Sequence, residues 1–163
     1  MIRTLQMPHA RSIAVALTLC CALNGAPAGA QTAPAAHLDV YKSPTCGCCV
    51  KWMDHLAKYG ISATARHDHL DDDFGVPADY RSCHTGVSSE GYVFEGHVPA
   101  RYVRRFLADP PDGARGLAVP GMPVGSPGME YKDEFTPYDI LLLRDDGSVE
   151  RYVTVDTYEQ QFD

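Results

Sequence analysis

Cys46-Gly47-Cys48-Cys49 puts three thiols into four residues, just after a strand-like run and at the head of a helix-like one. The odd thiol needs a partner from elsewhere in the chain, and that need constrains the fold. Thiolate is a nucleophile, a redox group and a soft metal ligand at once. A Cys48–Cys49 bridge would join residues with Cα atoms about 3.8 Å apart, below the usual range for a disulfide. Cys46 and Cys49 have Cys-x-x-Cys spacing, and a helix N-terminus would lower the pKa of Cys46. These two are the catalytic candidates if the chain is redox-active. A Cys46–Cys49 bridge leaves Cys48, with Cys83 as its remaining partner.

Residues 1–30 read as a signal peptide. Arg3 and Arg11 precede an apolar run from Ile13 to Leu23, and Ala28-Gly29-Ala30 offers small residues for cleavage before Gln31. The run is too short to span a bilayer, and no later segment approaches about 18 apolar residues. Cys20 and Cys21 lie inside it, and Leu19 argues against lipoprotein cleavage. The expectation is an exported protein, not inserted in the membrane after cleavage, with residues 31–37 as a linker and 38–163 as one domain. Loss of the two leader arginines takes the formal charge from −7 to about −9, a poor balance for binding nucleic acid or anionic membrane. Cys46, Cys48, Cys49 and Cys83 remain. In an oxidising compartment an even number favours disulfides, so that reading stays open.

Leu38 to Tyr41 alternates like a half-buried strand. The apolar positions Cys49, Val50, Met53, Leu56 and Ala57 then predict a helix from Cys46 to Tyr59, with Gly60 at its C-terminal turn. Ile61 to Arg66 alternates again, which suggests a parallel strand–helix–strand unit. His84 to Ser88 and Tyr92 to Glu95 read as strands around a Glu90-Gly91 turn. Pro99 opens a helix with Tyr102, Val103, Phe106 and Leu107 on its apolar face; Pro110-Pro111 ends it. Gly116 to Gly128 is expected to be an irregular loop. Tyr138 to Leu143 and Val149 to Val155 form a hairpin around Asp145-Asp146-Gly147. This order predicts an α/β, thioredoxin/glutaredoxin-like mixed sheet with flanking helices and a C-terminal β-hairpin extension. By that analogy Cys83 and His84 face the cysteine cluster from the loop where such folds usually carry a cis-proline.

A metal site uses every thiol. Four thiolates and the His84 imidazole make a soft donor set suited to Cu(I), and less selectively to zinc. Cys48-Cys49 and Cys83-His84 are adjacent pairs, whose side chains rarely converge on one tetrahedral zinc; bridging thiolates shared among several copper ions relieve that geometry. Met122 and Met129, in a Gly/Pro-rich loop, are soft candidates whose alternative is packing. His97 is a ligand candidate whose alternative is a structural place at a helix start. His67 and His69 beside Asp71, Asp72 and Asp73 read as a solvated acidic tract, and His55 as a surface residue. Trp52 either shields the cluster or belongs to the core. Arg101, Arg104 and Arg105 read as a solvated helix face.

Val40 to Trp52 around Cys46-Gly47-Cys48-Cys49, Ser82-Cys83-His84-Thr85, Gly96-His97-Val98-Pro99-Ala100, and the run from Gly116 to Glu130 together resemble the CopG-type copper-resistance family. The resemblance runs from about Leu38 to the last strands. It implies a periplasmic thioredoxin-like domain that binds copper through its cysteines and takes part in copper handling, with copper ions and other periplasmic copper-handling proteins as partners. The helix-head dithiol also permits electron exchange with copper, which leaves room for Cu(II) beside Cu(I) and for a copper oxidoreductase role in detoxification or delivery. The matched positions are Cys46, Cys48, Cys49, Cys83 and His84, with His97, Met122 and Met129 in matching motifs. Two other functions stay open on the residues: a thiol–disulfide oxidoreductase of exported proteins, and a zinc- or disulfide-stabilised binding module without catalysis.

Overall fold

The computed structural model describes residues 36–68 and 74–162. The expected signal peptide at 1–30 lies outside these residues, as do positions 31–35 of the expected linker, His69, and Asp71 to Asp73. Along the chain come strand β1 (His37–Lys42), helix α1 (Gly47–Lys58), β2 (Ser62–Arg66), a 3-10 turn (Ala78–Tyr80), β3 (His84–Ser88) and β4 (Val93–Gly96). Helix α2 (Ala100–Ala108), β5 (Ala114–Val119), β6 (Tyr138–Arg144), β7 (Val149–Val155) and a last 3-10 turn (Tyr158–Gln161) come next. The seven strands form one sheet in the order β2-β1-β3-β4-β5-β6-β7. β1–β2 and β4–β5 pair in parallel across α1 and α2; the other neighbours pair antiparallel, and β6–β7 is the C-terminal hairpin. This is the mixed α/β sheet that the residue pattern predicts.

Helix α1 ends as its sequence indicates. Gly60, at φ +77°, takes the left-handed position beyond the C-cap Tyr59. Its N–H donates to the Ala57 carbonyl, and the N–H groups of Tyr59 and Ile61 both donate to the Leu56 carbonyl, so two acceptors of the last turn are satisfied. Trp52 and Leu56 of α1 and Tyr102, Val103 and Phe106 of α2 share one core with Leu38, Val40, Phe94, Leu117, Val119 and Ile140. Val93 and Ala118, offset by one residue from Phe94 and Leu117, face a smaller cluster with Val76, Leu143, Phe74 and Tyr80. Period-two alternation thus assigns helices to one face and the 74–80 segment to the other.

The expectation of an irregular loop from Gly116 to Gly128 is corrected in its first part, which is the buried strand β5. Gly116 is there because β5 runs hard against β4: a Cβ at this position would collide with the Val93 carbonyl oxygen. Glycine marks a close backbone approach inside a sheet here, not a turn.

His55 is also corrected. It is 7% exposed, and its Nε2 accepts the Ala100 N–H at 3.0 Å. Pro99, the N-cap of α2, has no side-chain acceptor to offer, so α1 supplies one across the core. Burial lowers the His55 pKa from 6.5 to about 4, with Glu130 opposing and Lys58 assisting. The folded state therefore binds fewer protons than the unfolded state between these values. The stability from neutral His55 is full above about pH 6.5 and is lost as pH falls toward 4. Urea midpoints should drop across that window, and His55→Gln, which keeps an acceptor that does not titrate, should remove part of the drop.

Candidate metal centre

Four chain segments meet at one end of the sheet. β1, β4 and β5 run in the same direction and end at Lys42, Gly96 and Val119, while antiparallel β3 begins there at His84. The cross-strand pairs Lys42↔His84 and Gly96↔Val119 fix this register. The Cys46–Cys49 turn, Cys83, His97 and the loop from 120 to 130 all adjoin these strand ends. Topology alone therefore gathers the motifs that the sequence spaces far apart.

Cys46 is the N-cap of α1, its sulfur accepting the Cys49 N–H at 3.3 Å. Cys46 and Cys49 are joined by a disulfide, with Cα atoms 5.5 Å apart, while Cys48 and Cys83 are free thiols. The Cys48 sulfur lies 3.5 Å from that of Cys46 and 3.9 Å from that of Cys83. The Cys83 sulfur lies 3.7 Å from that of Cys49. Burial, reinforced by Cys48, raises the pKa of the Cys83 thiol. Without a cation the pocket holds Cys83 protonated; a metal ion would reverse that preference.

Two imidazoles close the other side. Nδ1 of His84 is 3.3 Å and Nε2 of His97 is 3.4 Å from the Cys83 sulfur. His97 is fully buried and its Nδ1 lies 2.8 Å from the Pro127 carbonyl oxygen. That acceptor requires the proton on Nδ1 and leaves the Nε2 lone pair directed at Cys83. It is the outer hydrogen bond that metal-ligating histidines commonly make. His84 is 3% exposed, and burial followed by the neighbouring His97 lowers its pKa to about 3. Its Nε2 is buried without a hydrogen-bond partner. The His84 ring packs on Trp52 at 4.4 Å and edge-on to His97 at 5.0 Å. Trp52 is thus both core and floor, held by its Nε1–H to the Val98 carbonyl at 2.8 Å. Cys46, Cys48, Cys49 and Cys83 form one group able to hold a metal ion, and Cys83, His84 and His97 form another.

The methionines are placed differently. Met129 is half-buried and comes directly after Gly128, where a Cβ would come within 2.7 Å of the Cys48 carbonyl oxygen. Met122 is 41% exposed, at φ +51°. His67 is exposed and lies 2.9 Å from the Lys42 carbonyl oxygen through Nδ1. Arg101 is exposed but anchors the chain end, donating to the Gln160 and Phe162 carbonyls.

Glu95 is a site residue that sequence reasoning missed. It is 2% exposed, in a strand where every residue is buried. One carboxylate oxygen accepts the Ser82 N–H, and the other accepts the Thr85 hydroxyl at 2.6 Å. Glu95 thereby pins both flanks of Cys83-His84. Burial raises its pKa against the pull of Thr85, Ser82 and Arg81. A charged residue in an otherwise apolar run, directly before Gly96-His97, was the available signal. Glu95→Ala should lower stability by about 1–3 kcal/mol, because the Ser82 N–H loses its partner in a buried setting. Glu95→Gln, which keeps one acceptor oxygen, should cost less; denaturant titration of the metal-free protein measures both.

A family model described as a protein of unknown function, DUF411, matches residues 80–129. No curated protein matches the chain. Two solved structures of copper resistance protein CopG, in forms 1 and 2, are similar at 36% and 37% identity. Each has a TM-score of 0.67, with 74% of this chain and 98% of the CopG chain covered.

Proposed function

The chain belongs to the family of copper resistance protein CopG, and from that premise we propose that it binds Cu(I) at Cys46, Cys48, Cys49 and Cys83, with several copper ions bridged by shared thiolates. The supporting observation is the set of sulfur–sulfur distances: 3.5 Å between Cys46 and Cys48 within one turn, and 3.9 and 3.7 Å from the helix-head residues Cys48 and Cys49 to Cys83 in a distant segment. Four sulfurs so close cannot each serve a separate site, whereas thiolates shared between soft ions suit this spacing. His84 and His97 complete the donor set on the inner side. Met129 is a further proposed ligand from the loop, and Met122, on the exposed turn, a weaker one. Copper here is cargo: the protein holds it in copper resistance and homeostasis, and the helix-head dithiol can exchange electrons with it. The apolar run Ile13 to Leu23 and Ala28-Gly29-Ala30 support export, and the family supports work in the periplasm beside other copper-handling proteins. Among the described residues no helix is long and apolar enough to cross a membrane.

The thiol–disulfide oxidoreductase reading has one observation in its favour, the Cys46–Cys49 bridge at a helix N-terminus. It leaves Cys48, Cys83 and the two imidazoles without a role. Anaerobic titration of the reduced protein with Cu(I), followed by metal counting, separates the readings. More than one tightly held copper per chain is expected. Absence of tight copper, together with an active Cys46–Cys49 couple, would give the oxidoreductase reading; zinc retained without preference for copper would give a zinc-stabilised module.

A further inference from the structure

The Cys46–Cys49 disulfide removes two of the four sulfurs from metal binding without dismantling the rest of the centre. What it leaves is not a weakened copy of the thiolate cluster but a different donor set. Cys83, His84 and His97 offer one sulfur and two imidazole nitrogens, all within 4.8 Å of one another. Three observations indicate that this set is built to hold an ion. Nε2 of His97 faces Cys83 at 3.4 Å because its Nδ1 is engaged by the Pro127 carbonyl. His84, 3% exposed, presents its Nδ1 to the same Cys83 sulfur at 3.3 Å, so both imidazoles turn a nitrogen toward one thiol in a buried setting. Glu95 holds both residues that flank Cys83-His84. None of these contacts involves Cys46 or Cys49.

We propose that the protein has a second metal site nested in the first, in which Cys83, His84 and His97 hold a single Cu(II) ion while Cys46 and Cys49 are bridged. One thiolate with two imidazoles is a donor set matched to Cu(II), whereas an all-thiolate set is matched to Cu(I). Cys83 belongs to both sites, so they are alternatives and not two compartments. The state of the Cys46–Cys49 bond decides which is available. Opening it takes two electrons and two protons; an external dithiol supplies them and becomes a disulfide itself, leaving Cys46 and Cys49 as thiols that lose their protons when Cu(I) binds. The oxidised protein therefore keeps a place for one copper, and the reduced protein gains places for more. This inference rests on the copper-binding reading of the same centre but concerns a different redox form.

The test uses the mature protein with the Cys46–Cys49 bridge intact and Cys48→Ser introduced, so that Cys83 is the one free thiol among these four cysteines. One equivalent of Cu(II), or of Co(II) as an ion that does not oxidise thiols, is added without oxygen. Binding of one ion per chain with an intense thiolate-to-metal charge-transfer band is expected, with electron paramagnetic resonance showing nitrogen coupling for Cu(II). Adding Cys83→Ser should abolish the band, and His97→Gln should weaken binding by about 10- to 100-fold or more. Circular dichroism checks that each variant is folded. Binding of Cu(II) and Co(II) through nitrogen and oxygen alone, or no binding, overturns the inference. So does loss of the Cys83 thiol to a disulfide instead of metal binding. A Cu(I) titration of the reduced wild-type protein runs beside these measurements. If that arm binds several coppers while the disulfide form fails, the second site is refuted and the copper-binding function stands. If the Cu(I) arm fails, the function itself is refuted.

Discussion

Reduced Cys83→Ser should lose most of its bound Cu(I) and show an affinity lower by at least about 100-fold, a larger loss than Cys48→Ser causes. The effect of removing an outer-shell partner is typically 10- to 100-fold, so losing a directly binding, bridging sulfur should exceed it. The reason is position. Cys83 touches Cys48 at 3.9 Å, Cys49 at 3.7 Å, His84 at 3.3 Å and His97 at 3.4 Å. Its sulfur joins the helix-head thiols to the imidazoles. Cys48 has Cys46 and Cys83 as sulfur neighbours, so its removal leaves Cys46, Cys49 and Cys83 facing one another. Both variants should fold, since both thiols are only partly buried. Competition with a chromophoric Cu(I) chelator gives affinity, and metal counting gives load. Equal copper load in Cys83→Ser and wild type would remove Cys83 from the site.

The cysteine cluster and the Cys83-His84 pair could be read from residues because soft donors are rare and their spacing is tell-tale. Their meeting could be expected only by analogy with thioredoxin-like folds; in the structure it follows from β1 and β3 being neighbours at a shared end. The strands and helices were legible from alternation and helical spacing wherever one face is buried. Burial on both faces can remove that signal, although β4, buried at every residue, still reads as a strand. β5 shows the loss: Gly116-Leu117-Ala118-Val119 has no polar alternation, since Leu117 and Val119 enter one core and Ala118 the other. Its glycine serves a close approach that no local pattern reveals. His55 and Glu95 were hidden for a related reason. His55 has neighbours that suggest nothing special, while Glu95 stands out only as a charge in an apolar run; each is buried to satisfy a backbone N–H from another segment, Ala100 for His55 and Ser82 for Glu95. Such needs arise only once the tertiary structure strands a donor. The same holds for His97, whose orientation depends on a carbonyl 30 residues away.

Gly128→Ala should damage both the fold and the copper site, lowering stability by about 2–4 kcal/mol from backbone strain and overpacking. Gly128 adopts φ +91°, a region that side chains with a Cβ rarely enter. The added Cβ would lie 2.7 Å from the Cys48 carbonyl oxygen, 2.9 Å from the Trp52 nitrogen and 3.3 Å from Nδ1 of His97. The first two atoms are backbone of α1, which cannot yield without unwinding the turn that carries the thiols. The loop must therefore lift, and Pro127 must lift with it. Its carbonyl oxygen then leaves the Nδ1 of His97, the contact that turns Nε2 toward Cys83. Copper affinity should fall by about 10- to 100-fold, as when other outer hydrogen bonds to metal-ligating histidines are lost. Gly125→Ala separates strain from site. Gly125 is also at positive φ, +84°, and its Cβ would meet the Glu134 carbonyl and Phe135 instead of Cys48 or His97. That variant should lose stability yet keep copper affinity close to wild type. Denaturant titration and Cu(I) competition on the two variants give the comparison. Equal copper affinity in Gly128→Ala and wild type would mean that the loop covers the centre without orienting it.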